Sequence, residues 1–228
     1  TLLIVTLSVV ITASLTMFAP SVDELKKTAY TLRESDESLD IWSAPLINGM
    51  TQRKVRRGIV LNTRSIQISG IERESIVDGE GVRYVIFTQG CPHHCPGCHN
   101  PQTHAADGGK EISIQTIIND IMTNAAYNHL IQGITFSGGE PFLWAEELAA
   151  IGEIAHTYGL DIWTYTGYTY EELLEKSTDD PRVKKLLDVT DYLVDGPFVL
   201  AEKDLTLEFR GSRNQRIIHL VNGERKEN

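Results

Sequence analysis

Cys91-Pro-His-His-Cys95-Pro-Gly-Cys98 contains all three cysteines of this 228-residue sequence. An odd number of thiols so close together cannot pair off into disulfides, so the spacing indicates a metal or cluster site. Three thiolates can hold a four-iron, four-sulfur cluster and leave one iron open to a small molecule. A structural zinc ion needs four protein ligands, so the alternative is a zinc site completed by His93, His94 or His99. The stretch alone leaves both kinds of site open.

A second motif, Ser137-Gly138-Gly139-Glu140-Pro141, follows the strand-like run Gly133-Ile134-Thr135-Phe136. Two glycines after a strand allow the backbone to approach a ligand closely, and the carboxylate of Glu140 can accept hydrogen bonds from an ammonium group. By itself this motif is typical of an ordinary turn. Together with Cys-x3-Cys-x2-Cys at the end of an earlier strand, it resembles the radical S-adenosylmethionine enzymes.

Further stretches narrow the resemblance to the branch of that family that activates glycyl-radical enzymes, and within it to activators of the anaerobic ribonucleoside-triphosphate reductase. The resemblance runs from about Ile66 to Leu220. Glu80 departs from it, because the signature usually has proline there and the loop is then less rigid. Gly97 stands where many relatives carry an aromatic residue, and glycine there resembles the reductase activators. The stretches concerned are residues 76–91, 162–168, 193–198, 203–205 and 209–216.

The resemblance implies a 4Fe-4S cluster with Cys91, Cys95 and Cys98 on three irons, and S-adenosylmethionine on the fourth iron. Reduction of the cluster would cleave S-adenosylmethionine to methionine and a 5'-deoxyadenosyl radical. It implies no catalytic side chain beyond the cluster and the cofactor site, and the thiolates make His93 and His94 unnecessary as ligands. The implied contacts of S-adenosylmethionine are Gly138 and Gly139 on the methionine part, Glu140 on its ammonium group, and Gly97, Cys98 and His99 on the adenosine.

The activity implied by the resemblance is that of an oxidoreductase that abstracts a hydrogen atom from a glycine of the reductase. The large subunit of the anaerobic ribonucleoside-triphosphate reductase would then be the protein substrate, and a reduced flavodoxin-type protein the electron donor. One alternative is a radical S-adenosylmethionine activase of the pyruvate formate-lyase type. The other is a non-catalytic binding module stabilised by zinc.

Several other side chains are candidates for this site. Trp163, Tyr165 and Tyr168 are aromatic residues at a strand end, where they would either stack on adenine or pack in the core. Asp195 ends a strand, so it would orient a ligand or simply begin a turn. Residues 210–215 are rich in hydrogen-bond donors, which is typical of a solvated hairpin tip or of a contact with the reductase or the cofactor, and the resemblance favours the contact.

The formal net charge of −10 at pH 7 argues against a nucleic-acid-binding surface, which needs clustered lysine and arginine. Three free thiols and oxygen-sensitive chemistry favour the cytoplasm. Residues 1–19 are uncharged and mostly apolar, which is close to the ~20 residues that span a bilayer. They lack a basic flank and an initiating methionine, so a membrane segment is disfavoured relative to a truncated or misassigned start.

The predicted organisation is an N-terminal extension at 1–49, a basic linker at 50–65 and the activase domain at 66–228. Strand-like segments alternate with helix-like segments within that domain. Ser113 is predicted to cap a helix, and Thr169 is predicted to open another with a capping box. The first helix would bury an apolar face formed by Ile114, Ile117, Ile118, Ile121, Met122 and Ala125. The predicted strands are 66–71, which we place at the sheet edge, 83–88, 133–136, 161–165, 191–195 and 216–220.

This alternation predicts an α/β fold, with a mostly parallel sheet and outer helices. Its length is too short for eight full units, so we expect a partial, open β/α barrel of the radical S-adenosylmethionine type. The cysteine loop, the Gly138-Gly139-Glu140 turn, Thr166-Gly167 and Asp195-Gly196 each follow a strand. Ligands bind at this edge of such sheets, so these four segments are predicted to meet there.

Overall fold

The computed structural model describes residues 64–226, except the side chains of 125–127. These residues form an eight-stranded sheet with four α-helices and three short 3-10 helices. The strands are β1 (Ser65–Ser75), β2 (Val82–Thr88), β3 (Lys110–Ser113), β4 (Ile131–Gly138), β5 (Asp161–Tyr165), β6 (Tyr192–Asp195), β7 (Arg216–Val221) and β8 (Glu224–Arg225). The helices are α1 (Ile114–Tyr127), α2 (Ala145–Thr157), α3 (Tyr170–Asp179) and α4 (Pro181–Val189), with 3-10 turns at Pro101–Thr103, Pro141–Trp144 and Leu200–Glu202.

The strand order is β3-β1-β2-β4-β5-β6-β7-β8. Strands β2, β4, β5 and β6 pair in parallel, whereas the strands on either side of them join antiparallel. The predicted open α/β sheet is therefore confirmed, with its parallel pairing concentrated in the four central strands. Strand β1 is not an edge strand, because the four-residue strand β3 pairs outside it. Strand β3 is short and half charged, so its own sequence carries little strand signal.

Alternation along the central strands separates two faces of the sheet. Tyr84, Ile86, Ile134 and Phe136 join one hydrophobic core with side chains from all four helices. Successive side chains of a strand point to opposite faces, so Ser137 and its equivalents in β2 and β5 face away from that core. The helices therefore cover one face. The other face is also buried at Val85, Thr135 and Trp163, where Asp78 and Phe209 are among the contacting residues.

The predicted helix starts are confirmed. The Ser113 hydroxyl accepts the Thr116 N–H at 3.1 Å, and Thr169 forms both halves of a capping box with Glu172. Met122 differs from the prediction, since it is 37% exposed. At 100° per residue it lies about 90° from the centre of the buried stripe of α1, which places it at the stripe's margin.

Helix α4 was not predicted, although Asp180-Pro181 at its start is a recognisable signal. The Asp180 carboxylate accepts the Arg182 N–H, and Pro181 occupies the first turn, where its missing N–H has no cost.

Strand β1 begins at Ser65, one residue before the predicted boundary. The predicted extension at 1–49 and most of the predicted linker lie outside the described residues. Within the described part of the chain, no helix combines the length and apolar character needed to cross a membrane.

Candidate active site at the carboxyl ends of the parallel strands

A cavity of about 730 Å³ opens at the carboxyl ends of the parallel strands. The cysteine loop, Gly138-Gly139, Thr166-Gly167 and Gly196 all line it, so the structure brings together the segments predicted to meet at this edge. Asp195 is the exception. Its buried carboxylate accepts the backbone N–H of Tyr170 at the start of α3 and pairs with Arg216, which makes it a structural residue.

The three cysteines lie on one loop, and all of them line this cavity as partly exposed free thiols. Burial raises the pKa of the Cys91 thiol. Backbone bonds shape the loop: the Cys98 N–H donates to the Cys95 carbonyl at 3.1 Å, and the Cys91 N–H donates to the His104 carbonyl at 3.2 Å. The described residues contain no group of three or more ligands arranged around a single ion. A cluster requires no such group, since each cysteine binds a different iron; three thiols facing one cavity fit it.

Glycine is required at both positions of the Gly138-Gly139 turn by its contact with β2 and the start of the cysteine loop. Gly138 has a positive φ of 94°, and a Cβ there would lie 2.6 Å from the backbone nitrogen of Thr88. A Cβ at Gly139 would lie 2.9 Å from the carbonyl carbon of Gly90. The Glu140 N–H also donates to the Gly90 carbonyl at 2.8 Å. The turn is thus joined directly to the residue before Cys91.

The carboxylate of Glu140 is fully buried and accepts hydrogen bonds from four groups. Oε1 accepts the Phe142 N–H at 3.0 Å, and the Thr166 hydroxyl lies within 3.0 Å of both oxygens. Oε2 also accepts the Gly167 N–H at 3.0 Å and contacts His93 Nε2 at 2.8 Å. Four donors occupy the usual capacity of a carboxylate. An ammonium ion must therefore replace one of them or interact through charge alone, and the predicted direct contact stays a prediction.

The segment after β6 packs against Gly97 and His99, the two neighbours of Cys98 in the cysteine loop. Gly97 has a φ of 76°, and a Cβ there would lie 2.9 Å from the Leu200 side chain and 3.5 Å from the Phe198 ring. The His99 and Phe198 rings are 5.1 Å apart. An aromatic residue at position 97 would therefore collide with a segment far away in the sequence, which gives a physical reason for glycine.

Residues 77–218 match the sequence model of the family described as "4Fe-4S single cluster domain". The chain is 37% identical over 153 residues to the anaerobic ribonucleoside-triphosphate reductase-activating protein of Escherichia coli (strain K12), covering 64% of this chain and 93% of that protein. The chain belongs to this family of activating proteins. The protein of the same name from Haemophilus influenzae is 35% identical over 151 residues, covering 63% of this chain and 91% of that protein.

The family description agrees with a 4Fe-4S cluster and not with the zinc alternative. The pyruvate formate-lyase-activating enzyme of Clostridium pasteurianum is 38% identical over 118 residues, covering 50% of this chain and 49% of that enzyme. Coverage thus favours the reductase activators over the pyruvate formate-lyase type. The crystal structure of QueE from Escherichia coli has a TM-score of 0.39 and 17% identity over 50% of this chain and 57% of that one, a similarity too low to bear on the site.

The three aromatic candidates, Trp163, Tyr165 and Tyr168, have different surroundings in the structure. Tyr165 lines the cavity, and burial raises the pKa of its phenol. Its buried hydroxyl has no hydrogen-bond partner among the described residues. Trp163 instead stacks on Tyr192 at 4.9 Å and lies beneath the Arg83 guanidinium, so it is a packing residue. Tyr168 packs against His93.

The donor-rich turn at 210–215 is largely satisfied internally. The Gln215 side chain accepts the backbone N–H groups of Gly211 and Ser212, and Arg213 pairs with Asp204. Arg210 lines the cavity and donates to the Gln215 carbonyl at 3.2 Å, while its Nε has no partner in the described part of the chain. Gly211 and Gln215 line the cavity as well, and Arg210 differs from them in having a buried donor that no described residue accepts.

Sequence reasoning missed the cavity-lining roles of several apolar residues. None of them has a charge or a thiol to mark it, and all except Leu207 belong to stretches in which only the resemblance drew attention. The residues concerned are Ile76, Val77, Phe87, Phe198, Leu207 and Phe209.

Proposed function

We propose that this protein generates the glycyl radical of an anaerobic ribonucleoside-triphosphate reductase. The supporting observation is that three thiols and the Gly138-Gly139 turn line one cavity in a chain that covers 93% of a reductase-activating protein. When bound, a 4Fe-4S cluster and S-adenosylmethionine supply an electron and a 5'-deoxyadenosyl radical, which removes a hydrogen atom from the glycine.

We propose that Cys91, Cys95 and Cys98 hold the cluster. Their partial exposure within the cavity leaves one side of the site open, which suits a cluster with an iron free for another ligand. Removal of any one thiol leaves two ligands, so Cys→Ser substitution at each position is expected to abolish cluster retention.

We propose that S-adenosylmethionine lies across the strand ends, with its methionine part near Gly138 and Gly139 and its adenosine near Gly97, Cys98 and His99. Both glycines line the cavity, so a ligand bound there would contact their backbone. Glu140 contributes a buried negative charge next to this turn, which attracts an ammonium group strongly because little water screens it.

We propose that the large subunit of the reductase docks at the open mouth of the cavity. Ile76 and Val77 line the cavity and are 72% and 71% exposed, so they offer an apolar contact for a protein loop. The proposed electron donor is a flavodoxin-type protein, and the proposed activase domain is residues 66–228. The proposed location is the cytoplasm, since oxygen-sensitive thiolate chemistry requires reducing conditions.

The test is electron paramagnetic resonance of protein reconstituted anaerobically with iron and sulfide, then reduced, with and without S-adenosylmethionine. A cluster signal that changes shape on addition of S-adenosylmethionine is expected, followed by a glycyl-radical signal when the reductase is added. Pyruvate formate-lyase in place of the reductase tests the related activity. Tightly bound zinc and no cluster signal would refute the proposal. In a separate binding measurement, Glu140→Ala is expected to weaken S-adenosylmethionine binding.

A further inference from the structure

We infer that His93 is a positioning residue that fastens the cysteine loop to the other half of the cofactor site. The inference rests on the proposed function, because the site it positions is that for S-adenosylmethionine. His93 lies between Cys91 and Cys95, yet its side chain turns away from the loop and contacts residues that follow β4 and β5.

The first contact is the hydrogen bond between His93 Nε2 and Glu140 Oε2, at 2.8 Å. The imidazole is the donor, since an ionised carboxylate only accepts. The carboxylate is fully buried and the His93 side chain is 16% exposed, so water competes little for the bond. Hydrogen bonds to a charged group are among the stronger ones, and this one joins positions 47 residues apart.

The second contact is steric and involves the loop after β5. The His93 ring meets Tyr168 edge to face, with ring centroids 4.5 Å apart. The ring also lies so close to Gly167 that a Cβ there would be 2.6 Å from His93 Cγ. The ring thus contacts two successive residues of this loop, and these contacts restrict its orientation while it reaches Glu140.

The donors to Glu140 show why His93 is distinctive among its partners in the described residues. The Phe142 N–H belongs to the turn of Glu140 itself, and the Thr166 hydroxyl and Gly167 N–H belong to the loop after β5. His93 adds the cysteine loop to this network. One buried carboxylate therefore joins three of the segments that surround the cavity.

His94 provides a matched control in the same loop. Its ring turns toward His104, with centroids 5.3 Å apart, and its backbone has a φ of 47°. Asparagine tolerates this left-handed conformation, so His94→Asn changes a neighbouring histidine without strain. Both His93 and His94 lie between the first two cysteines, and they differ in the contact with Glu140.

The test compares S-adenosylmethionine affinity, measured by calorimetry, and iron content in cluster-loaded wild type and three variants. His93→Phe keeps a ring but removes the donor, whereas His93→Gln keeps a donor without the ring; His94→Asn is the control. We expect His93→Phe to bind at least about tenfold more weakly, because binding must then order a loosened loop. His93→Gln should recover part of this loss, His94→Asn should match wild type, and iron content should be unchanged.

Several results would overturn the inference. Binding by His93→Phe equal to that of wild type would mean that the contact positions nothing. Tighter binding would mean that His93 competes with the ammonium group for Glu140, and a loss of iron would mean that it acts on the cluster itself. If wild type does not bind S-adenosylmethionine, the proposed function fails; if wild type binds and His93→Phe binds equally, only this inference fails.

A second measurement uses the contact with Gly167. In Gly167→Ala the new methyl group would displace the His93 ring, so affinity should fall as it does in His93→Ala. In the His93→Ala background the space is empty, and the same change at Gly167 should have little further effect. Independent, additive effects of the two substitutions on affinity would contradict the proposed contact.

Discussion

Gly139→Ala is expected to separate the Gly138-Gly139 turn from the cysteine loop. The added Cβ would lie 2.9 Å from the carbonyl carbon of Gly90 and closer still to its oxygen. Both atoms are backbone, so no side chain can rotate away. The same carbonyl accepts the Glu140 N–H at 2.8 Å, and moving it weakens that bond. Because Gly90 precedes Cys91, the displacement reaches the first proposed cluster ligand.

The size of the effect follows from two contributions. Overpacking of a tight contact costs about 1–3 kcal/mol, and a weakened backbone hydrogen bond costs about 0.5–1.5 kcal/mol. Together they destabilise the fold by about 2–4 kcal/mol. For a chain of this length each kcal/mol lowers the unfolding midpoint by about 2–4 °C, so a decrease of roughly 5–15 °C is expected.

The assay is thermal unfolding of the cluster-loaded protein, followed by circular dichroism under anaerobic conditions, together with iron content. Gly70→Ala is the matched control, because a Cβ there meets nothing within 4 Å. Its midpoint should be unchanged or slightly higher, since alanine lowers the entropy of the unfolded chain. Equal midpoints for the two variants would refute the view that the close approach of these backbones requires glycine.

Three further predictions concern residues that stabilise the fold around the site. Arg83→Met should lower the free energy of unfolding by about 2–4 kcal/mol in urea titrations, because this fully buried guanidinium pairs with Asp161 and donates to three backbone carbonyls. An unchanged free energy of unfolding would contradict a stabilising role for Arg83. The hydrogen bond to Asp191 raises the pKa of His156, so the stability lost in His156→Gln should be greatest below pH ~6.5. The loss should vanish as the pH rises through the folded-state pKa of His156, and a loss independent of pH would exclude this linkage. Thr169→Ala removes the capping box of α3 and should cost roughly 1 kcal/mol by the same urea titration, and no cost would mean that the cap is dispensable.

Much of the fold was accessible to sequence reasoning because its signals are local. Ser113 and Thr169 were predicted to start helices, and both do. Periodicity located the buried stripe of α1 but placed Met122 inside it, since a pattern of apolar residues does not show where the covering sheet ends. Strand β3 escaped prediction for a similar reason: its strand conformation depends on pairing with β1, not on its own residues.

For the site, the sequence alone determined that the cysteine loop and the Gly-Gly-Glu turn follow strands, and it predicted which of their residues bear the chemistry. Three cysteines at close spacing and a Gly-Gly-Glu turn are recognisable in any single chain, because ligand type and spacing are local properties. Only the tertiary structure decided that Glu140 is buried under four donors, that His93 joins it to the cysteine loop, and that Leu200 and Phe198 occupy the space beside Gly97. These contacts join segments that are distant along the chain, and the strand order that brings those segments together is set by the packing of the whole sheet.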